Sequence, residues 1–377
     1  MGKKRVLFAA TVVKTHIMQF HIPYLRMFQD MGWETAVAAR NDYENPADCV
    51  IPACDTYYDI PFERVPWKKG NLRAYKMLKK VIDEGNFDII HCHTPVGAML
   101  TRLAARQARK RGTKVLYTAH GFHFYKGAPL LNWLAFYPVE WLLAPLTDVL
   151  LTMNREDYTR AKKHIHAKRV EYVPGVGISR EKFSQSVDRP AKRRELGFGD
   201  GDFLMLTVAE LIGRKNHITV LRAMGLLKNA PEFENLHYLI VGRGEARDRL
   251  ESAAHELGIE SHVHFLGYRT DVAALYKACD LFAFVPFQEG LPVALMEAMC
   301  CGLPVFCTDI RGNADLIDDG VSGLFTDNNP RAVADTILKL YRDPALRSRC
   351  AAAAAEKVLN FTDETVHERM REIYLSV

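Results

Sequence analysis

The stretch DLFAFVPFQEGLPVALMEAMCCGLPVFCTD, Asp280 to Asp309, places a short apolar strand and a loop before an apolar helix and a second short strand. Pro292 is typical of a first helical turn, so the helix should begin near it. The same alternation of β-rich runs and helical patterns recurs along all 377 residues. This alternation predicts parallel sheets of the α/β class.

The candidate strands fall into two groups on either side of a segment rich in turn formers and charge. That segment, PGVGISREKFSQSVDRPAKRREL, is interpreted as a linker. The strands before it are RVLFAATVV, ETAVAAR, FDIIHCH, KVLYTAH, DVLLTMN and RVEYVPG; those after it are DFLMLTVAEL, LHYLIVG, VHFLG, DLFAFVP, LPVFCTD and SGLF. A chain of this length exceeds one ordinary core, so we expect two doubly wound, Rossmann-like sheets.

Two carboxylates in the opening stretch need an explanation. Glu297 is the only charge between Gly290 and the second strand, and a buried carboxylate is costly unless it is hydrogen-bonded. Gly290 lets the backbone approach a ligand, and the free N–H groups of Leu291 and Val293 would form an anion site suited to a diphosphate. We expect Glu297 to bind a ribose and Glu289 to bind the group that the diphosphate carries. The alternative is that Glu297 is an exposed helix residue and Glu289 a helix-capping charge.

The segment EGLPVALMEAMCCGLPVFCTDIRGNADLIDDGVSGLF, with its E-x7-E spacing, resembles the donor-site signature of retaining glycosyltransferases of the GT-B fold, family GT4. PGVGISREKF is similar to that family's interdomain linker, and VHFLGYRTDVAALYKACDLF to the segment that frames the base. The segments THIMQFHIPYLRMF and YTAHGFHFYKGAPLLNWLAFYPVEWLL resemble the branch that builds capsular polysaccharide, exopolysaccharide and lipid-linked glycans in bacteria. The resemblance covers essentially the whole chain.

The resemblance implies a GT-B architecture of two Rossmann-like domains that face a central cleft. Residues 1–178 would bind the acceptor, residues 179–360 the nucleotide-sugar donor, and a helix in residues 361–377 would cross back to the first domain. The implied activity is retaining transfer of a hexosyl or N-acetylhexosaminyl group from a nucleotide sugar, UDP being preferred to GDP. The implied acceptor is a glycan on polyprenyl diphosphate, and neither a metal nor a cofactor is expected.

The same resemblance assigns roles to individual residues. Lys215 in ELIGRKNH would bind the diphosphate, His120 in YTAHGF would face the donor sugar and diphosphate, and Glu289 would contact the sugar hydroxyls. These three form the implied catalytic set. The remaining donor-binding residues would be Arg214, Gly242, Arg269, Gly290, Leu291, Pro292, Val293 and Glu297.

Two departures from the family pattern stand out. Glu210 occupies the position, five residues before Lys215, where the family usually has Arg. Either Arg214 replaces that charge, or Lys215 and the backbone hold the diphosphate alone. The first loop reads ATVVKTH where the family has a Gly-Gly pair.

Charge is unevenly distributed along the chain. The first 180 residues carry 27 Lys and Arg against 16 Asp and Glu, whereas the rest carry 23 against 29. The first half should therefore meet something anionic, and RVPWKKGNLRAYKMLKK predicts an amphipathic basic helix that either lies on an anionic membrane or is simply solvated. The expected acceptor and membrane side comprises Lys14, His16, His21, Lys76, Lys79 and Lys80. We expect a cytoplasmic protein, peripheral on the inner face of the plasma membrane.

The segment 127–154 is apolar enough to suggest a membrane span, but Pro138, Glu140, Pro145 and Asp148 argue against one. It is interpreted as a helix whose apolar face either touches lipid or packs in the core. The spacings of His16, His21, His91, His93 and His123 match no metal site, so none is predicted. The eight cysteines lack metal-site spacing and are interpreted as reduced packing residues.

Two other functions fit parts of the sequence. A sugar-nucleotide epimerase with the same fold would need acid and base residues around one bound sugar nucleotide and no acceptor site. A nucleic-acid-binding protein would use the basic first half, but the acidic second half would repel a phosphate backbone. The E-x7-E signature favours the glycosyltransferase over both.

Overall fold

The computed structural model describes residues 2–377, which divide into two compact units. The first contains residues up to Val176 together with Val366–Val377, and the second contains Gly177–Thr365. The division predicted from the sequence, between residues 178 and 179, lies close to the observed one. Each unit is built around one parallel sheet.

The first unit has a seven-stranded sheet in the order β3-β2-β1-β4-β5-β6-β7. Its strands are apolar on both faces because helices cover both sides of the sheet. The strand order reverses between β1 and β4, the place where ligands bind in doubly wound sheets. The strands are β1 Arg5–Val12, β2 Glu34–Arg40, β3 Thr56–Asp59, β4 Ile89–His93, β5 Lys114–Ala119, β6 Val149–Thr152 and β7 Val170–Tyr172.

The second unit has a six-stranded sheet in the order β10-β9-β8-β11-β12-β13, which reverses between β8 and β11. All six of its strands were predicted from the sequence, whereas the first sheet has one strand more than predicted. The six are β8 Phe203–Val208, β9 Leu236–Val241, β10 Val263–Gly267, β11 Leu281–Phe284, β12 Val305–Thr308 and β13 Leu324–Thr326.

Helices follow the strands in both units. Those before the linker are α1 Met18–Phe20, α2 Ile22–Asp30, α3 Gly70–Gly85, α4 Pro95–Ala104, α5 Arg106–Lys110, α6 Leu130–Leu143 and α7 Arg155–His164. The others are α8 Arg180–Ser184, α9 Arg189–Glu195, α10 His217–Leu227, α11 Arg247–Leu257, α12 Val272–Ala278, α13 Val293–Cys300, α14 Asn313–Leu316, α15 Pro330–Arg342, α16 Pro344–Lys357 and α17 Asp363–Leu375.

The last helix, α17, packs into the core of the first unit. Val366, Met370 and Ile373 are buried there against residues of the first strand and of α2. The hydroxyl of Tyr374 lies 2.6 Å from Nδ1 of His91 on β4. The first unit therefore contains both the first strand and the last helix of the described residues.

The apolar segment 127–154 is not one helix. It contains α6, a 3-10 turn over Ala144–Leu146 and strand β6. Across residues 2–377, no helix combines the length and the apolar character that crossing a membrane requires.

Candidate active site

The opening stretch forms the loop between β11 and α13. The helix begins at Val293 with Pro292 as its N-cap residue, as the sequence predicted. Gly290 and Leu291 lie in the bend before it. The first backbone N–H groups of a helix have no partner within it, so this helix end can receive an anion.

The Glu289 carboxylate is buried and pairs with two cations from the loop after β8. The ammonium of Lys215 donates a short hydrogen bond to Oε1 of Glu289. Nη1 of Arg214 lies 3.8 Å from the same oxygen. Because β8 and β11 are neighbours, their carboxyl-end loops meet at this point. The structure thus brings together three of the predicted donor-site residues.

Arg214 lies between two carboxylates. Its Nη2 is 3.5 Å from Oε2 of Glu210, the residue that departs from the family pattern. The Glu210 side chain is largely exposed, whereas Glu289 is buried. Arg214 can therefore turn toward the site while Glu210 stays in solvent.

Glu297 lies on α13 and is half-buried, so it is not the plain exposed helix residue of the alternative interpretation. Its Oε2 accepts a 2.9 Å hydrogen bond from the hydroxyl of Tyr276, a fully buried residue of α12. Burial raises the pKa of the Glu297 carboxyl, while the Tyr276 hydrogen bond partly opposes that rise. Sequence reasoning missed Tyr276, because nothing in its own helix marks it as a partner of a residue on α13.

Arg311 and Gly312 hold the Glu289 loop in place. Nε of Arg311 donates a 3.1 Å hydrogen bond to the backbone oxygen of Glu289. Gly312 has φ +84°, and a Cβ there would lie 2.8 Å from the carbonyl carbon of Gly290 and closer still to its oxygen. The sequence signature included both residues, but no role was assigned to either.

Two other predicted donor-site residues have local structural partners. Gly242, at φ +146°, packs so closely on the loop after β8 that a Cβ would lie 2.9 Å from the carbonyl carbon of Ala209. The Arg269 guanidinium donates hydrogen bonds of 2.7 and 2.6 Å to Asp271. Gly242 therefore permits the close approach of two site loops, and Arg269 is already paired through its side chain.

Three predicted residues of the first unit, His16, His21 and His120, gather with His93 at the carboxyl ends of three adjacent strands. His16 lies on a π-helical turn after β1, His93 ends β4, and His120 follows β5. His21 comes directly before α2. Together with His16, His93 and His120 it forms what we call the histidine cluster.

The rings of the histidine cluster are close together and mostly buried. Their potential ligand atoms all lie within 4.8 Å of one another. Burial lowers the pKa of His16 to about 4 and that of His120 to about 3, and it lowers those of His21 and His93 well below the ordinary value. All four imidazoles are therefore neutral at pH 7. Spacing along the sequence did not reveal this cluster, because its members come from three separate segments of the chain.

A cavity of about 370 Å³ opens beside the cluster. Its wall combines His16 and His120 with Phe20, His123 and Phe136. His123 stacks on Phe136 with ring centres 4.3 Å apart. This mostly aromatic wall can accept an apolar or sugar-bearing ligand.

A buried ion pair supports one side of that cavity. Nη1 of Arg102 donates a 2.8 Å hydrogen bond to Glu140, which also accepts a 3.0 Å hydrogen bond from the Tyr117 hydroxyl. From the sequence alone, the charge of Glu140 indicated only that the segment does not span a membrane. Its partners show that it joins α6 to α4 and β5.

Comparison with known proteins places the whole chain in one family. Models described as "Glycosyl transferases group 1" and "Glycosyl transferase 4-like" match residues 188–357 and 5–153. A provisionally named glycosyltransferase of Bacillus subtilis (strain 168), EpsD, is 40% identical over 98% of this chain and 96% of its own length. The chain belongs to glycosyltransferase family GT4.

This GT4 glycosyltransferase also resembles proteins whose ligands are named. It is 25% identical, over 82% of its length and 79% of the relative, to UDP-Gal:alpha-D-GlcNAc-diphosphoundecaprenol alpha-1,3-galactosyltransferase of Escherichia coli. The crystal structure of Anabaena Alr3699/HepE in complex with UDP matches it with TM-score 0.79 and 20% identity, covering 99% of this chain and 100% of that one. The predicted fold class, GT-B with two Rossmann-like domains, is confirmed.

The predicted membrane-side lysines of this GT4 glycosyltransferase differ in their surroundings. Lys76 and Lys80 are exposed on α3, whereas Lys79 pairs with Asp83. Lys14 lies 5.4 Å from the centre of the Tyr43 ring. Lys76 and Lys80 are therefore better placed than Lys79 to meet an external anion.

Proposed function

We propose that this GT4 glycosyltransferase moves a hexosyl or N-acetylhexosaminyl group from a UDP-sugar, with retention of configuration, to a glycan on polyprenyl diphosphate. The observation that carries the proposal is the buried Glu289 carboxylate between Lys215 and Arg214, beside the free N-terminus of α13. The name of the E. coli relative gives it UDP-Gal as donor and a diphosphoundecaprenol-linked sugar as acceptor, which supports both substrate classes. Synthesis of a bacterial capsule or exopolysaccharide is the corresponding process.

The donor would be held through its three chemical parts. The diphosphate would accept hydrogen bonds from Lys215 and from the backbone N–H groups at the start of α13, with Arg214 as the second cation. Tyr276 engages Oε2 of Glu297, so Oε1 is available for a ribose hydroxyl. Glu289 would accept hydrogen bonds from the hydroxyls of the sugar.

Catalysis would depend on electrostatic stabilisation of the leaving diphosphate. Negative charge develops on the leaving oxygen as the glycosidic bond breaks, and Lys215, Arg214 and the helix end are positioned to stabilise it. The Glu289 carboxylate is ion-paired, which makes it a poor nucleophile for a covalent intermediate. We therefore favour same-face attack by the acceptor hydroxyl, whose proton passes to the leaving phosphate, with no metal ion on the diphosphate.

His120 would position the transferred sugar rather than act as a base. It is partly exposed and lines the cavity of the first unit, and its depressed pKa keeps it neutral. A neutral imidazole can donate one hydrogen bond to a hydroxyl or phosphate oxygen.

An exposed apolar surface on α6 would contact the lipid chain of the acceptor. Leu130, Leu131 and Leu134 are each more than 65% exposed, and Phe136 of the same helix lines the cavity. An acceptor on a lipid chain could thus keep the chain in a bilayer at α6 while its glycan enters the cavity. The exposed lysines of α3 would add attraction to anionic lipid on the cytoplasmic face.

Family membership favours transfer over the other two functions. An epimerase needs no lipid-facing acceptor surface, and a nucleic-acid-binding protein needs no buried Lys–Glu pair. Hydrolysis or epimerisation of UDP-sugars without transfer would support the epimerase instead.

Calorimetric titration with UDP, GDP and UDP-sugars tests the donor assignment, and transfer to a diphosphoundecaprenol-linked acceptor tests the reaction.

Lys215→Ala should lower kcat by about 10²–10³-fold, the usual cost of removing one group that stabilises developing negative charge. Arg214→Ala should cost less because Arg214 is more exposed. Lys339→Ala, an exposed change on α15, serves as the control. Normal turnover in Lys215→Ala would contradict the proposal.

A further inference from the structure

The histidine cluster has a feature that sugar transfer does not explain. Six of its ring nitrogens are buried without a hydrogen-bond partner among the described residues: Nε2 of His16, both nitrogens of His21, both of His93, and Nε2 of His120. Burying polar groups without partners opposes folding. Six such atoms in one place indicate that a ligand belongs there.

The neighbouring His91 shows how the fold treats an ordinary buried histidine. It lies two residues before His93 on β4, and its ring centre is 4.1 Å from that of His93. Its Nδ1 lies 2.6 Å from the Tyr374 hydroxyl, and its Nε2 lies 2.8 Å from Oγ1 of Thr118. The same core therefore satisfies one imidazole completely and leaves the adjacent cluster without partners.

The space at the cluster has the size of a single small ligand. A cavity of about 20 Å³ is lined by three members of the cluster, His21, His93 and His120, and by the neighbouring His91. Roughly 10–15 Å³ is enough for one water-sized particle. His16 and His120 also line the larger cavity, which offers a route from solvent to the cluster.

We propose that the histidine cluster is a closed, four-imidazole site for one divalent transition-metal ion, with Zn²⁺ as the expected occupant. Neutral imidazole nitrogen suits Zn²⁺, whereas Mg²⁺ and Ca²⁺ require oxygen ligands. Tetrahedral ligands at about 2.0–2.1 Å from zinc lie about 3.3 Å apart, so the rings need only a modest contraction from their present separations. This site is separate from the diphosphate-binding residues of the second unit.

The ion would connect the segment after β1, the end of β4 and the residue after β5, next to the point where the sheet order reverses between β1 and β4. A closed site with four protein ligands is typical of structural zinc. Binding through Nε2 of His120 leaves Nδ1 to donate the hydrogen bond that the proposed function assigns to this ring, and it fixes the ring's orientation. The ion would thereby order the cavity wall without taking part in transfer.

Metal content provides a test independent of transferase activity. The full chain, purified without a polyhistidine tag, is stripped with a chelator and titrated with Zn²⁺, and with Co²⁺ as a spectroscopic probe. We expect about one ion per chain, the visible absorption of tetrahedral Co²⁺, and a rise in Tm on adding Zn²⁺. Absence of bound metal would overturn the proposal and leave the proposed transfer reaction untouched.

His93→Phe and His21→Phe keep a ring of similar shape, but each removes one of the four ligands. Either change should weaken Zn²⁺ binding by at least about 100-fold and abolish the Co²⁺ spectrum. His91→Phe, with circular dichroism as a folding check, is the matched control and should retain the ion. If water molecules occupy the cluster instead, Zn²⁺ will not change Tm in either the parent chain or His93→Phe, and the proposal is wrong.

Discussion

Glu297 combines a cost in stability with a proposed role in ligand binding. Burial raises its pKa, so the folded chain binds this proton more tightly than the unfolded chain does. The ionised carboxylate therefore lowers the free energy of unfolding at every pH above its raised pKa, and this penalty disappears below the ordinary pKa. The proposed binding of a ribose by Glu297 would explain why the residue is Glu and not Gln.

We predict that Glu297→Gln raises Tm in the absence of ligand at neutral pH but weakens UDP binding by about 10- to 100-fold, the loss expected for a charged hydrogen bond. The gain in Tm should shrink as the pH falls through the raised pKa. Thermal unfolding from pH 4 to 8 and calorimetry with UDP measure the two effects. Glu356→Gln, an exposed change on α16, is the control. Unchanged UDP affinity would remove the ribose-binding role.

At this scale the sequence predicted the residues on the site's own loops but not their distant partners. Glu289, Glu297 and Lys215 were predicted as site residues because they lie in recognisable local patterns. Tyr276 and the histidine cluster were not, because their contacts join side chains from separate elements. Spacing along a chain carries no information about such contacts until the strand order is known.

The loop before α13 is an element whose shape depends on a glycine elsewhere in the chain. Gly312 and Gly320 both have positive φ, at +84° and +73°, but only Gly312 lies against other backbone, since no atom is within 4 Å of a Cβ at Gly320. Gly320→Ala should therefore cost about 1–2 kcal/mol from its backbone conformation alone. Gly312→Ala should cost about 2–5 kcal/mol and also weaken UDP binding. Denaturant unfolding and calorimetry distinguish these outcomes, and equal effects of the two changes would contradict the close packing.

Helix α6 has an apolar face that its own unit does not cover. Leu131 and Leu134 are 74% and 67% exposed, so replacing both with Ser should leave stability within about 0.5 kcal/mol per site. If this face enters a bilayer, Leu131→Ser/Leu134→Ser should reduce binding to anionic vesicles at least tenfold. Leu226→Ser, an exposed apolar change on α10, is the control. Sedimentation with vesicles measures the effect, and unchanged binding would leave the face without a membrane role.

Elements were predicted well where the sequence pattern was strong. All six strands of the second sheet have apolar cores bounded by turn residues, and all were found. Strand β3 was missed because TYYD is short, only partly buried, and lies at the sheet edge, where burial imposes little pattern. The segment 127–154 was less regular than a single helix because a 3-10 turn containing Pro145 and the following strand end α6, whereas Pro138 lies within that helix.

At the scale of the molecule, the first unit is assembled from both ends of the described chain. Residues of α17 fill its core, and Arg369 adds a 2.6 Å hydrogen bond to Glu171. The unit therefore cannot complete its core until the whole second unit, Gly177–Thr365, has been synthesised. A substitution of a buried residue in α17 should therefore destabilise the first unit but not the second.

We predict that Ile373→Ala, which removes a fully buried side chain of α17, destabilises the first unit by about 2–5 kcal/mol. A unit of this size should then lose on the order of 10 °C in Tm. Leu375→Ala, on the same helix but 59% exposed, should change Tm little. Scanning calorimetry with and without UDP provides the measurement, since UDP should still raise the transition of the second unit in Ile373→Ala. If UDP no longer raises the transition temperature of the second unit in Ile373→Ala, the two units unfold as one. The destabilisation is then not confined to the first unit, which would contradict the prediction.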